Sequence, residues 1–133
     1  MDRLFLDANI LFSFSAAYRA DAGVARLWRV PASTLVTSEY AVEEARRNLS
    51  EASQLARLDE LLKSVERQPS ITLAPDLRMG IALREKDWPI LGGALHAGAT
   101  HLITGDVRDF GRHFGKKLLG VLVQTPADYL AGP

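Results

Sequence analysis

Short apolar runs alternate along this chain with longer stretches in which apolar residues recur every three or four positions, and the two patterns predict different elements. "RLFLD" (3–7) predicts a short buried strand, and Leu11, Phe14, Ser15 and Tyr18 then fall at helical spacing. A second short helix is expected from about Ala22 to Arg29, stopping near Pro31. "TLVTS" predicts the next strand, and Ser38 is placed to cap a helix from about Glu39 to Leu49. Leu55, Leu58, Leu61, Leu62 and Val65 form a stripe of 3.6-residue period between Glu51 and Arg67, which Gln68 to Ser70 break.

"SITLA" (70–74) is a third strand candidate, and residues 75–86 carry no pattern that assigns them. Pro89 suits the first turn of a helix in which Ile90, Leu91, Ala94 and Leu95 share a face, and Gly98 suits its end. A strand at "HLIT", a polar segment to about Lys117, a strand at "GVLVQ" and a short helix at "PADYLA" complete the chain. Strands alternating with helices predict an α/β fold, a parallel sheet covered on both faces.

Composition narrows the class without naming a function. With 133 residues, 47% of them hydrophobic and 24% charged, the chain is long enough to bury roughly two thirds or more of its unfolded surface and is expected to form one domain over 1–133. No apolar stretch approaches the roughly 20 residues that span a bilayer, so no membrane role is expected. The absence of Cys excludes disulfides and thiolate metal sites, and "MDRLFLDANI" carries no cleavable signal pattern, so a cytoplasmic location is expected. Sixteen basic residues balance sixteen acidic ones, so any affinity for nucleic acid must come from local arrangement.

The carboxylates offer such an arrangement. Asp7 closes the first strand, Glu44 lies in the helix after the second, Asp87 precedes the long helix and Asp106 follows the strand "HLIT", so all four are expected near the carboxyl edge of the sheet, where ligands bind in α/β folds. Each also has an ordinary reading. Asp7 can cap a helix, Asp87 can favour a helix dipole, Glu44 can be a solvated acid like Glu43, and Asp106 and Asp109 can form turns. Glu44 and Asp87 nevertheless lie beside the apolar stripes of their helices and not opposite them. Clustered acids repel one another unless some stay protonated or a cation binds them. With no thiol and no paired His, Mg²⁺ or Mn²⁺ is the expected ion.

"LFLDANILFS", "LVTSEYAVEEARRNL", "KDWPILGGALHAGATHLITGDVRDF" and "GVLVQTPADYL" together resemble a PIN domain, the metal-dependent ribonuclease fold that includes VapC-type toxins. The resemblance implies a three-layer α/β/α fold with a central, mostly parallel sheet of four to five strands. It also implies Mg²⁺- or Mn²⁺-dependent hydrolysis of RNA phosphodiesters, an antitoxin protein as partner, and a homodimer. Carried over by position, the acids fall on Asp7, Glu44, Asp87 and Asp106, with Asp109 a possible fifth metal-site residue and Asn9 and Thr104 in supporting positions. Asp7 and Asp106 are expected to touch the metal, Glu44 and Asp87 to hold its waters or orient the nucleophile, and Asp109 to stand behind them. Residues 68–86 match no part of the pattern.

An acidic pocket that binds a polyanion needs basic residues at its rim. Arg46, Arg47, Arg84, Lys86 and Arg108 are the expected substrate contacts, followed by Arg112, Lys116 and Lys117, although Lys and Arg are common on any surface. Phe5, Phe12, Phe14, Trp28 and Trp88 are read as core or interface, and His96, His101 and His113 as structural or surface residues. The rival function is a catalytically silent PIN-fold module that binds RNA or a protein partner. A phosphatase of the haloacid dehalogenase type wants a second aspartate where Asn9 stands, and no GxGxxG or GxxxxGK[ST] loop occurs.

Overall fold

The computed structural model describes residues 1–16, 23–31 and 33–132. Tyr18 and the expected helix start at Ala22 lie outside them. In chain order the elements are β1 (Asp2–Leu6), α1 (Ala8–Ala16), α2 (Gly23–Arg26), β2 (Ser33–Ser38), α3 (Glu39–Arg47), α4 (Ala52–Leu62) and β3 (Glu66–Gln68). They continue with α5 (Trp88–His96), β4 (His101–Ile103), α6 (Val107–Phe110), β5 (Lys117–Leu118), β6 (Val121–Gln124) and α7 (Pro126–Ala131). No described helix is long and apolar enough to cross a membrane.

β1 lies inside the sheet because its apolar run is covered on both faces: Leu4, Phe5 and Leu6 are fully buried. It pairs parallel with β2, Phe5 opposite Val36, and with β4, Phe5 opposite Leu102. The six strands run β3-β2-β1-β4-β6-β5, all parallel except the β5–β6 pair. From β1 the chain steps outward to β2 and β3 through α1, α3 and α4, and then returns through α5 to β4 on the other side of β1. Right-handed crossovers put those two sets of helices on opposite faces. The ring of Phe5 packs toward Gly93 of α5, where an added Cβ would lie 3.0 Å from it.

The expected helices form near their predicted places. Ser38 Oγ accepts a hydrogen bond from Ala41 N (3.2 Å) and starts α3, Pro89 occupies the first turn of α5, and Gly98 follows α5 with φ +66°. The predicted stripe to Arg67 stops as helix at Leu62, because Val65 N bonds back to Leu62 O and turns the chain into β3.

Two strands differ from the sequence reading, which is why the sheet has six and not four to five. "SITLA" pairs with no strand. Leu73 is buried, and the Ile71 carbonyl lies so near α5 that a Cβ on Gly92 would stand 2.9 Å from it. The edge strand is instead Glu66–Gln68, whose polar residues are exposed or half-buried and therefore carry no apolar signature. β5 is a two-residue arm of a hairpin whose loop is Leu119–Gly120, with φ +51° and +89°. Positive φ at both central residues marks the tight turn that matches strand twist, and Leu119 adopts it without the freedom of Gly or Asn.

Candidate active site

The chain leaves β1 in one direction across the sheet and leaves β4 in the other, so the loops after these neighbouring strands open a crevice at their carboxyl ends. Asp7 follows β1 directly and its backbone N donates to Ile103 O (3.1 Å). Thr104 follows β4 and leads through Gly105 to Asp106.

Polar side chains fasten the two loops together. Thr104 Oγ1 donates to Asp7 Oδ2 (2.9 Å) and accepts from Asn9 Nδ2 (3.1 Å) and Asp106 N (3.1 Å). Asn9 also donates to Asp7 Oδ2 (3.0 Å), and its Oδ1 accepts from Gly105 N (2.8 Å). Asp7 Oδ1 accepts from Ala8 N (2.6 Å), the first N–H of α1. Asp7 is only 4% exposed, and burial pushes its carboxyl up to about 6 despite these donors, with Glu44 and Asp106 adding repulsion.

The remaining acids come from other elements. Glu44, half-buried on α3, faces the same cleft of about 280 Å³, which Asp7, Asn9, Phe12, Asn48, Lys86, Asp87 and Asp106 also line. Asp87 ends a 3₁₀ turn at the start of α5 and is 4% exposed. Its Oδ1 accepts from Lys86 Nζ (3.2 Å), whereas its Oδ2 is buried with no hydrogen-bond partner among the described residues. Burial raises this carboxyl to about 7, against the pull of Lys86, and both a hydrogen bond that its protonated form shares with Asp109 and the negative charge of Asp109 add to the rise. Asp106 caps α6, its Oδ1 accepting from Asp109 N (3.0 Å).

Asp109 is buried behind Asp106 and holds two cations, Lys86 Nζ at 2.7 Å and Arg84 Nε at 3.2 Å. The bond from Lys86 holds its carboxyl down at about 2. Burial would lower the Lys86 ammonium, but its bonds to Asp109 and Asp87 raise it.

One carboxylate oxygen from each of Asp87, Asp106 and Asp109 lies within 4.8 Å of the other two. Asp7 and Glu44 line the cleft beside that group without joining it at this distance among the described residues. The donors are all oxygens and Asp87 Oδ2 stands unpartnered, which fits a hard divalent cation of the Mg²⁺ or Mn²⁺ kind.

The basic residues divide. Arg46 bonds Asp59 of α4 (3.0 Å) and Arg47 is exposed. Arg84, Arg108 and Arg112 line a groove of about 350 Å³ whose wall includes Asp109. Lys86, expected at the rim, reaches into the acids. Tyr40 was not singled out by the sequence, yet its hydroxyl donates to Lys86 O (2.7 Å) and fixes the loop that carries Lys86 and Asp87. Its place one helical turn before Glu44 on α3 is the signal that marks it. His113 is buried and bonds Ala82 O (2.9 Å), a structural role.

Solved structures share this architecture. DNA-bound VapBC from Salmonella typhimurium matches with a TM-score of 0.65 and 16% identity, over 95% of this chain and 99% of that one. VapBC2 from Rickettsia felis, bound to a DNA fragment from its promoter, matches at 0.64 and 14%, over 92% and 98%. VapC20 from Mycobacterium tuberculosis, described as a Sarcin-Ricin loop cleaving toxin, matches at 0.54 and 16%, over 77% and 91%. No family model matches the sequence, and no curated protein does. The six-stranded sheet, its mostly parallel order and these superpositions identify the fold: the chain carries the PIN-domain, VapC-like fold.

Proposed function

We propose that this chain is a cytoplasmic, Mg²⁺- or Mn²⁺-dependent endoribonuclease that works as one domain, the toxin of a toxin and antitoxin pair. The observation that carries the reading is Asp87 Oδ2, a buried carboxylate oxygen without a partner, in a cleft that four further acids line or border. Among the described residues five acids meet only two cationic side chains there, Lys86 and Arg84, and uncompensated buried like charges cost stability, so the arrangement makes sense as a site for a further cation. The fold shared with VapC20, described as a Sarcin-Ricin loop cleaving toxin, supports RNA as the substrate, and the VapBC structures support a protein partner. A homodimer is part of the same reading.

Asp7, Glu44, Asp87, Asp106 and Asp109 would together hold the metal, Asp87, Asp106 and Asp109 through the oxygens that lie within 4.8 Å of one another and Asp7 and Glu44 from the cleft wall beside them. A bound divalent ion supplies a Lewis acid and an activated water for phosphodiester hydrolysis. The protein's own part is to orient and position. Thr104 and Asn9 fix the Asp7 carboxylate, Tyr40 anchors the loop before Asp87, and Arg84, Arg108 and Arg112 offer a track for the phosphates of the strand.

The test is cleavage of a panel of structured RNAs with Mn²⁺ by the wild type, Asp7→Asn, Asp87→Asn and Asp106→Asn. Each substitution is expected to remove at least about a hundredfold of the wild-type rate, since it takes away a charge that the metal site uses. Cutting that is equal in Asp106→Asn, or that persists in EDTA, would overturn the mechanism. A wild type that binds RNA without cutting it would favour the silent module.

A further inference from the structure

The ammonium of Lys86 stands among the acids and not at their edge. Its Nζ lies 2.7 Å from Asp109 Oδ2, 3.2 Å from Asp87 Oδ1 and 4.0 Å from Asp106 Oδ2. One oxygen from each of those three residues lies within 4.8 Å of the other two. The point charge thus occupies ground that a cation bridging the same carboxylates would need, and two positive charges a few ångströms apart repel strongly in a partly buried site.

The tether allows movement. The Lys86 side chain is 47% exposed, so its head has an open route to solvent, while Tyr40 Oη holds the backbone carbonyl of the same residue at 2.7 Å. Asp109 keeps a second cation, Arg84, when the lysine departs. Asp87, whose Oδ2 receives no donor from the protein, would lose the bond from Lys86 and keep only its contact with Asp109, which opens the carboxylate to a new ligand.

We propose that Lys86 is a resident counter-ion that competes with the divalent metal: it keeps the acid cluster assembled without metal and must swing out when the metal enters. The inference rests on the reading of the cluster as a metal site. Lys86 is a positioning residue in this account, and its charge sets metal affinity.

The experiment is calorimetric titration of the whole chain with MnCl₂ at one pH and ionic strength, for the wild type, Lys86→Gln and Lys86→Arg. Lys86→Gln is expected to bind Mn²⁺ about tenfold or more tightly than wild type, because a nearby positive charge is gone. Lys86→Arg is expected to stay near wild type. In EDTA Lys86→Gln is expected to melt below wild type, and saturating Mn²⁺ to close the gap.

A second readout uses the wild type alone and does not depend on the variants folding. The ammonium ¹⁵N signal of Lys86, protected in EDTA by its two carboxylate bonds, is expected to shift and exchange faster with water when Mg²⁺ saturates the site. Mn²⁺ binding of equal strength in wild type and Lys86→Gln, or a Lys86 signal that Mg²⁺ leaves unchanged while it binds, overturns the competition alone. Absence of Mn²⁺ binding in every variant overturns it together with the metal-site reading.

Discussion

Asp7 and Asp87 are equally buried, each 4% exposed, and burial raises both carboxyls, so the metal-free protein should show a dependence of stability on pH. A carboxyl whose pKa is higher folded than unfolded binds its proton more tightly in the folded state. It therefore adds stability that is fully present below the unfolded value and is lost as pH rises through the folded one. For Asp7 the window runs from 3.8 to about 6, and for Asp87 from 3.8 to about 7. Asp7 alone corresponds to a loss on the order of 3 kcal/mol across that range. Asp109 has the opposite sign: its lowered value gives stability that disappears only as pH falls from 3.8 toward about 2. Urea denaturation in EDTA should thus show stability falling between pH 4 and pH 8, and Asp7→Asn should flatten that fall. A curve that rises over the interval, or that Asp7→Asn leaves unchanged, would show that burial does not govern this carboxyl.

At the same scale the sequence made the acids visible and hid their relations. Asp7 sits directly after an apolar strand and Asp106 three residues past another, and Asn9 and Thr104 are close neighbours of theirs, so short spacing placed them. Lys86 is adjacent to Asp87 in the chain, but its depth depends on the path of residues 75–86, whose sequence has no pattern to fix a direction. Its long side chain reaches either rim or centre equally well from the sequence alone.

Elements were legible where periodicity, caps and burial agreed. α3 and α5 have a Ser cap and an early Pro respectively, and β1 has a continuous apolar run. β3 was not legible, because a polar edge strand is specified by its partner β2 and not by its own residues. "SITLA" misled because a chain packed over a helix buries alternate apolar residues much as a strand does. That packing yields a test: Gly92→Ala places a methyl 2.9 Å from the Ile71 carbonyl, and the variant should lose about 1–3 kcal/mol of stability by chemical denaturation. The β5–β6 turn yields the opposite one. Leu119 sits at φ +51°, and left-handed backbone costs a side chain roughly 1–2 kcal/mol, so Leu119→Asn should raise stability by about 1 kcal/mol. Leu119 is exposed, so little packing is forfeited, and a lower melting temperature for Leu119→Asn would contradict the turn assignment.

Across the whole molecule, formal charge cancels at zero, so attraction to a polyanion has to be local. The acids gather where strand order reverses between β1 and β4, and the groove of Arg84, Arg108 and Arg112 runs beside them. Replacing Arg108 by Gln should weaken RNA binding several-fold and reduce the salt dependence by about one phosphate contact, while leaving the metal titration unchanged. An Arg108→Gln protein with undiminished RNA affinity would move the substrate track to another face.

The proposed activity requires that acids from separate elements converge on one divalent cation. Anomalous diffraction from crystals soaked in Mn²⁺ tests it most directly. The expected result is a manganese peak beside Asp87, Asp106 and Asp109, at the cleft that Asp7 and Glu44 line, with Lys86 Nζ withdrawn from Asp87. A cleft without manganese at saturating Mn²⁺, or manganese bound only elsewhere, would contradict it.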